Sequence, residues 1–445
     1  MPHADVVVIG AGLSGLTAAT RLAEAGAVVT LVAKGHARTH WGSGGLDIAA
    51  PHAARTPADG VARLAALDHP YSYLAPCVAP SVAWMMERLA AAGLPYAGTL
   101  DTPIRRVPTA IGGTRRVAIV PQAQSAALRP WGRDEVLVVA GIAGYKDFWP
   151  LAIADSLARE AVWHGADRPA AVTGVSVELR GLGDRHNLNA MHLARRFDEG
   201  ALRADDIAAI ARAVERAAEG RPGRVALPAV FGLAAHAETW AALRAQLPLE
   251  PFEVPLVPPS VPGIRLWRVL RDRIRAAGGR VQLGEFVHAV RVEDGRVTAV
   301  EMEAATRTHA IRTEALVLAT GGLSGGGLRA TDDGRIVEPV LGLHVEAVEQ
   351  DAWLVRDGLD PAGHPVEAAG VRADPDLRPL GADHRVSHAN VHVVGGLLAD
   401  QRSIRERCGD GVAIASGWRA ARGLASDATR SPIDCEMADS ARTEL

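Results

Sequence analysis

Cysteine, lysine and long apolar runs are all scarce in this chain, and each scarcity removes a class of protein. Its three cysteines, Cys77, Cys408 and Cys435, lie far apart and form no CxxC pair. That spacing argues against a disulfide framework or a thiolate metal centre, so no metal is expected and a reducing cytoplasm is the expected compartment. No stretch offers the ~20 consecutive apolar residues that cross a bilayer, so any membrane contact is expected to come through a partner. The apolar run Val6–Ile9 is too short for a secretory signal and runs straight into a glycine turn. Lys34 and Lys146 are the only lysines, and a formal net charge of -3 leaves no basic excess for nucleic acid.

A more specific absence lies in VVVIGAGLSGLTAATRLAEAGAVVTLVAKG, near the start. A buried strand, a glycine turn, a helix and a second strand follow one another here. The second strand should end in Asp or Glu, which binds the hydroxyls of an adenosine ribose. It ends instead in Ala33-Lys34.

The remaining features of that unit are present. Val6–Ile9 is continuously apolar, as suits a parallel strand buried on both faces. In the turn, Gly10 permits the tight bend, Gly12 lets backbone approach a pyrophosphate, and Gly15 allows close helix packing. Leu13 and Ser14 open the helix, whose free N–H groups and dipole favour an anion.

Three later features favour a flavin over nicotinamide. Trp41–Asp47 is a second glycine loop containing Ser43, Gly44 and Gly45. Leu316–Ala319 is a late buried strand ending in Thr320-Gly321-Gly322, so the chain returns to the nucleotide sheet from far away. Strand Val391–Val394 then leads through Gly395 to Gly409-Asp410-Gly411-Val412, where a last helix aims its N-terminus at the same region. Such a terminus stabilises negative charge as a flavin ring is reduced.

At 445 residues several packed units are expected. The fold class is α/β: a Rossmann-like FAD/NAD(P)-binding domain, with a parallel sheet and a β-meander, plus an inserted α+β substrate or cap domain. Segments 1–75, 258–330 and 385–427 are assigned to the flavin-binding domain. Segment 76–257 is the insertion, 331–384 returns to the cap, and 428–445 is a loose tail. The meander is expected at Arg280–Leu283, Val287–Val292 and Val297–Ala304, and a helix at Ser81–Ala92.

Several stretches, in this order, carry a resemblance: HPYSYLAP (69–76), LPAVFGLA (227–234), PPSVPGIRL (258–266), GGLSGGGL (321–328), EPVLGLHV (338–345) and RCGDGVAIASGWRAA (407–421). The chain resembles flavoproteins related to fumarate reductase, and more specifically the B-subunit family of bacterial anaerobic glycerol-3-phosphate dehydrogenases. The resemblance implies flavin-dependent oxidation of sn-glycerol 3-phosphate, or a similar small anion, with electrons passed to quinone. It also implies two companions: an FAD-containing A subunit, plus an iron–sulfur C subunit that holds the complex at the inner membrane. FMN is the flavin that it implies for this chain. FAD stays open because the glycine turn is built for a pyrophosphate. This chain departs from the family at Leu398-Ala399-Asp400-Gln401-Arg402, where glycine is usual. Two other readings also stay open: a flavin relay or scaffold without chemistry of its own, and a stand-alone flavin dehydrogenase for another anion.

A phosphorylated substrate calls for arginine, whose planar fork matches phosphate oxygens. Arg115 and Arg265 are the candidates by motif position. Removal of a hydroxyl proton calls for a base, and His186 and His344 are the candidates. Lys34 and the backbone near Val287 are expected at the adenosine end.

Overall fold

The computed structural model describes residues 1–159, 167–182, 188–304 and 307–428. β1 (His3–Ile9) leads into α1 (Leu13–Glu24) and β2 (Val29–Ala33). The strands pair in parallel, from Val6 opposite Val29 to Ile9 opposite Val32. Gly26, with φ +91°, ends α1 in the left-handed conformation that glycine adopts without a Cβ penalty.

The next long element, α2 (Tyr71–Ala91), carries Pro76 and Pro80 inside it. Prolines there suggest a helix starting only at Ser81, yet it begins ten residues earlier. Its buried face explains why: Tyr71, Leu74, Val78, Val82, Met85 and Leu89 recur at three- and four-residue spacing through both prolines. Burying each such side chain is worth ~1.5–3 kcal/mol, enough to offset the backbone bonds that the prolines remove.

The insertion is organised around four parallel strands: β3 (Val136–Ile142), β4 (Ala171–Val177), β5 (Gly223–Pro228) and β6 (Glu250–Val254). Their order is β6-β5-β3-β4, with helix α3 (Pro150–Arg159) connecting β3 towards β4. A further helix, α4 (Val261–Ala276), joins the two units. Val261 and Ile264 belong to the core of the insertion, while Leu266, Trp267, Leu270 and Ile274 belong to that of the nucleotide sheet. One helix therefore fixes the insertion against the sheet.

After α4 come β7 (Arg280–Leu283), β8 (Phe286–Glu293), β9 (Arg296–Ala304), β10 (Arg307–Leu318), β11 (Val391–Val393) and α5 (Gly409–Ala428). The large sheet runs β7-β2-β1-β10-β9-β8, with β11 also on β10. The meander is thus β8-β9-β10, and Arg280–Leu283 is instead a parallel edge strand on β2. β10 serves two purposes. Its polar first half pairs antiparallel with β9, and Ala315–Leu318 pair in parallel with β1. Among the described residues no helix is long and apolar enough to cross a membrane.

Candidate functional site

A cleft of about 560 Å³ opens where β1, β10 and the N-termini of α1 and α5 converge. Its glycines fall into two kinds. A Cβ on Gly10 would lie 2.2 Å from the Ala319 carbonyl oxygen, and one on Gly15 would lie 2.0 Å from that of Gly10. Those two are required by the packing of the protein itself. A Cβ on Gly12 would meet only the Ala37 Cβ, at 3.8 Å. Gly12 instead borders the cleft together with Leu13 and Ser14. No side chain caps α1 and no acid stands in its first turn, so its leading N–H groups are left for a ligand.

The second glycine loop is held from several directions. Tyr96 donates to the Gly44 carbonyl at 2.6 Å, and Gln124 to that of Ser43 at 3.0 Å. Gly44 takes φ +83° with Pro262 packed against it. The loop then locks onto α5. The N–H groups of Asp410 and Gly411 both donate to the Asp47 carbonyl at 3.1 Å, and the Asp47 N–H donates to Asp410 Oδ2 at 2.9 Å. Gly411 is a packing glycine, since its Cβ would stand 2.1 Å from the Tyr71 hydroxyl.

Charged groups line the same cleft. Arg115 donates to Asp47 Oδ1 at 2.6 Å and to the Ser43 hydroxyl. Arg407 stands 3.9 Å from Asp47 Oδ2, and Arg38 reaches the Ser324 hydroxyl at 3.2 Å. Burial pushes the Asp410 carboxyl up to about 6, and the neighbouring Asp47 carboxylate adds to the effect. Burial also draws the Arg407 guanidinium below its usual range, which Asp47 opposes and Arg115 and Arg106 reinforce. Three guanidinium groups, from Arg38, Arg115 and Arg407, outnumber the two carboxylates and make a cleft suited to a small anion.

Of the residues singled out in the sequence, Gly12, Leu13, Ser14, Ser43, Gly44, Gly45, Ala319, Thr320, Gly321 and Arg115 line this cleft. Gly10, Gly15, Gly395, Gly411 and Val412 stand behind it; a Cβ on Gly395 would meet Ser14 Oγ at 2.4 Å. Lys34 and Val287 lie beyond its walls. The Lys34 ammonium sits 5.6 Å from the Phe286 ring centroid, and the Ala33 carbonyl accepts the N–H groups of Gly284 and Glu285.

The structure places the other candidates elsewhere. Arg265 is buried in a bidentate pair with Glu253, at 2.7 and 3.0 Å, and also donates to the Gly232 carbonyl at 2.8 Å. Its guanidinium is engaged inside the insertion and does not reach the cleft. His344 is exposed, 3.8 Å from Glu346. His186 lies outside the described residues. Asp47, Asp410, Arg407 and Arg38 went unremarked as site residues in the sequence. The available signal was an acid set inside each of two glycine loops.

The site fits a flavin nucleotide. The open Gly12 and the uncapped α1 terminus suit its phosphates, and Thr320, which lines the same cleft, has a buried Oγ1 without a protein hydrogen-bond partner. The "FAD binding domain" family model matches residues 5–412. The B subunit of the anaerobic glycerol-3-phosphate dehydrogenase of Yersinia pestis is 30% identical over 442 residues, covering 95% of this chain and 98% of that protein. Its probable counterpart in Halobacterium salinarum is 31% identical over 430 residues, covering 94% and 97%. Among solved structures, a 3-ketosteroid delta1-dehydrogenase from Sterolibacterium denitrificans covers 96% of this chain and 100% of its own, at 11% identity and TM-score 0.45. Mycobacterium smegmatis Sdh1 in complex with UQ1 covers 100% and 72%, at 13% identity and TM-score 0.43.

Proposed function

The chain belongs to the FAD-binding flavoproteins and, within them, to the B-subunit family of anaerobic glycerol-3-phosphate dehydrogenases; on that premise we propose that it oxidises sn-glycerol 3-phosphate to dihydroxyacetone phosphate and sends the electrons to quinone. The observation that carries this reading is the convergence of Arg115, Arg407 and Asp410 on one cleft. Two guanidinium groups suit a phosphate, and a carboxylate suits a hydroxyl proton.

A flavin bound along Gly12–Ser14 and Ser43–Gly45 supplies the two-electron acceptor for the carbinol hydrogen. The protein does the rest. Arg115, oriented by Asp47 and Ser43, and Arg407 hold the phosphate. Asp410 accepts the hydroxyl proton; its Oδ2 is fixed by the Asp47 N–H. With its pKa near 6, Asp410 is mostly ionised at neutral pH and still basic enough to take a proton. This gives Asp410 the role that the sequence offered to His186 and His344.

The chain is one subunit of a larger complex. Its proposed partners are an FAD-containing flavoprotein and an iron–sulfur protein, which hold it at the inner membrane from the cytoplasmic side. The test is anaerobic mixing of the purified, flavin-loaded chain with glycerol 3-phosphate. Loss of the yellow absorbance supports the reading. A spectrum that stays oxidised overturns it in favour of an electron relay.

A further inference from the structure

Two stretches from opposite ends of the chain, His69–Pro76 and Arg407–Ala421, meet at a buried cluster beside the cleft. His69 Nε2 lies 3.5 Å from Glu406 Oε2 and 3.6 Å from Cys408 Sγ, and that sulfur lies 3.6 Å from the same oxygen. His69 and Cys408 are 3% and 0% exposed. Imidazole, carboxylate and thiol gathered within 4.8 Å form a donor set that zinc would accept.

The imidazole tautomer argues against a metal. The Tyr71 backbone N–H donates to His69 Nδ1 at 3.0 Å. Nδ1 therefore carries a lone pair, and the proton of the neutral ring sits on Nε2. A metal at Nε2 needs the reverse arrangement, with Nδ1–H donating to an acceptor. His69 is thus a donor towards Glu406 and Cys408. The thiol, pushed well above its ordinary pKa by burial and then by Glu406, stays protonated and also donates to that carboxylate.

What this donor holds is the segment Asp400–Cys408. Glu406 Oε2 also accepts the Arg402 N–H at 2.7 Å, the Glu406 N–H donates to the Arg402 carbonyl at 2.9 Å, and the Glu406 carbonyl accepts from Ala50 at 2.9 Å. Asp400 (φ +64°) opens the segment, and Arg407 (φ +46°) follows Glu406 directly. Both adopt the left-handed conformation without being glycine, at a cost of about 1 kcal/mol or more each. Such strain persists only where surrounding contacts over-determine it. Arg407 is also the arginine that this segment contributes to the cleft.

We propose that His69 is a positioning residue for anion recognition: through Glu406 it locks the Asp400–Cys408 segment in the conformation that turns Arg407 into the cleft. The inference rests on the phosphate-binding role given to Arg407 above.

The test uses the flavin-loaded chain and inorganic phosphate, read as a perturbation of the flavin spectrum, with flavin content and melting temperature as controls. His69→Ala is expected to weaken phosphate binding about tenfold, the effect of losing one charge-assisted contact. His69→Gln is expected to bind within about threefold of the parent, because its amide can accept from Tyr71 and donate to Glu406. Glu406→Gln, at a partly exposed position, provides the same weakening should His69→Ala not fold. A His69→Ala protein with a lower melting temperature but unchanged phosphate affinity overturns the proposal. So does stoichiometric zinc in the parent that His69→Ala abolishes. If Arg407→Ala leaves phosphate binding unchanged, the anion reading itself fails, a result separable from failure at His69 alone.

Discussion

The Arg115 guanidinium and the Asp47 carboxylate meet at 2.6 Å in the cleft, joining residues 68 positions apart. The same guanidinium also holds Ser43. Arg115 therefore has two tasks, closing the glycine loop and presenting positive charge. Arg115→Ala is expected to raise KM for glycerol 3-phosphate by roughly 10–100-fold, the range for losing a hydrogen bond to a charged group. Arg115→Lys keeps the charge but loses the planar fork, so it should recover only part of that loss. Steady-state kinetics separating KM from kcat checks both.

Asp410 gives the site a pH dependence of definite sign. Its carboxyl is raised from 3.8 to about 6, first by burial and then by Asp47. As a base it must be ionised, so kcat/KM is expected to rise with pH through an apparent pKa near 6. Asp410→Asn should lower activity by ~10²–10⁴-fold and flatten that limb. The linkage to stability runs the other way. Between pH 4 and 6 the unfolded chain releases this proton while the folded chain keeps it, so the native state loses stability as pH rises. The melting temperature of Asp410→Asn should therefore improve relative to the parent across that window.

Arg265 illustrates a different consequence of charge. Its pair with Glu253 is buried on both sides, and each guanidinium nitrogen has a hydrogen-bond partner. Removing one partner leaves an uncompensated buried charge, typically a loss of 3–5 kcal/mol. Arg265→Ala is expected to depress the denaturation midpoint severely. In whatever fraction folds, KM should stay near that of the parent.

These residues mark where sequence reading succeeds and where it stops. The βαβ unit was legible because Val6–Ile9, Gly10 and Gly12 constrain backbone conformation locally. Ser43–Gly45 and Ala319–Gly321 could be placed at one cleft because each is a glycine loop that comes after a strand of the nucleotide sheet. Arg265 was misleading because its motif position says nothing about Glu253, which reaches it only through the packing of β6 against α4. Asp47 and Asp410 each stand inside a glycine loop, yet their pairing depends on α5 docking beside a loop more than 360 residues away. The meander was misassigned at Arg280–Leu283 for a similar reason. A short half-polar strand does not reveal which sheet edge it joins.

The two kinds of glycine predict two kinds of failure. At Gly10 a Cβ would overlap the Ala319 carbonyl, and φ +114° is already unfavourable for any side chain. Gly10→Ala is expected to prevent stable folding, read as loss of soluble, cooperatively melting protein. At Gly12, φ is -73° and no protein atom is crowded. Gly12→Ala should fold with a normal circular dichroism spectrum and melting curve in its flavin-free form, yet retain much less flavin after gel filtration. Equal flavin content in Gly12→Ala and the parent would remove Gly12 from the cofactor site.

The absent acid after β2 bears on how much of the flavin is gripped. The Ala33 carbonyl is occupied by Gly284 and Glu285, and Lys34 rests over Phe286 outside the cleft walls. Neither residue that ends the strand, Ala33 or Lys34, offers a carboxylate to the ribose hydroxyls. A bidentate contact of that kind is worth roughly 1.5–3 kcal/mol, or about 10–100-fold in affinity. Without it, FAD and FMN should bind the flavin-free protein with dissociation constants within about tenfold of each other. Lys34→Ala should change either by no more than about threefold. Replacing Ala33 with Glu should favour FAD selectively, because FMN has no adenosine to contact. Flavin fluorescence titration of the three proteins measures all of this. An FAD preference above a hundredfold in the parent would mean that another group has taken over the ribose.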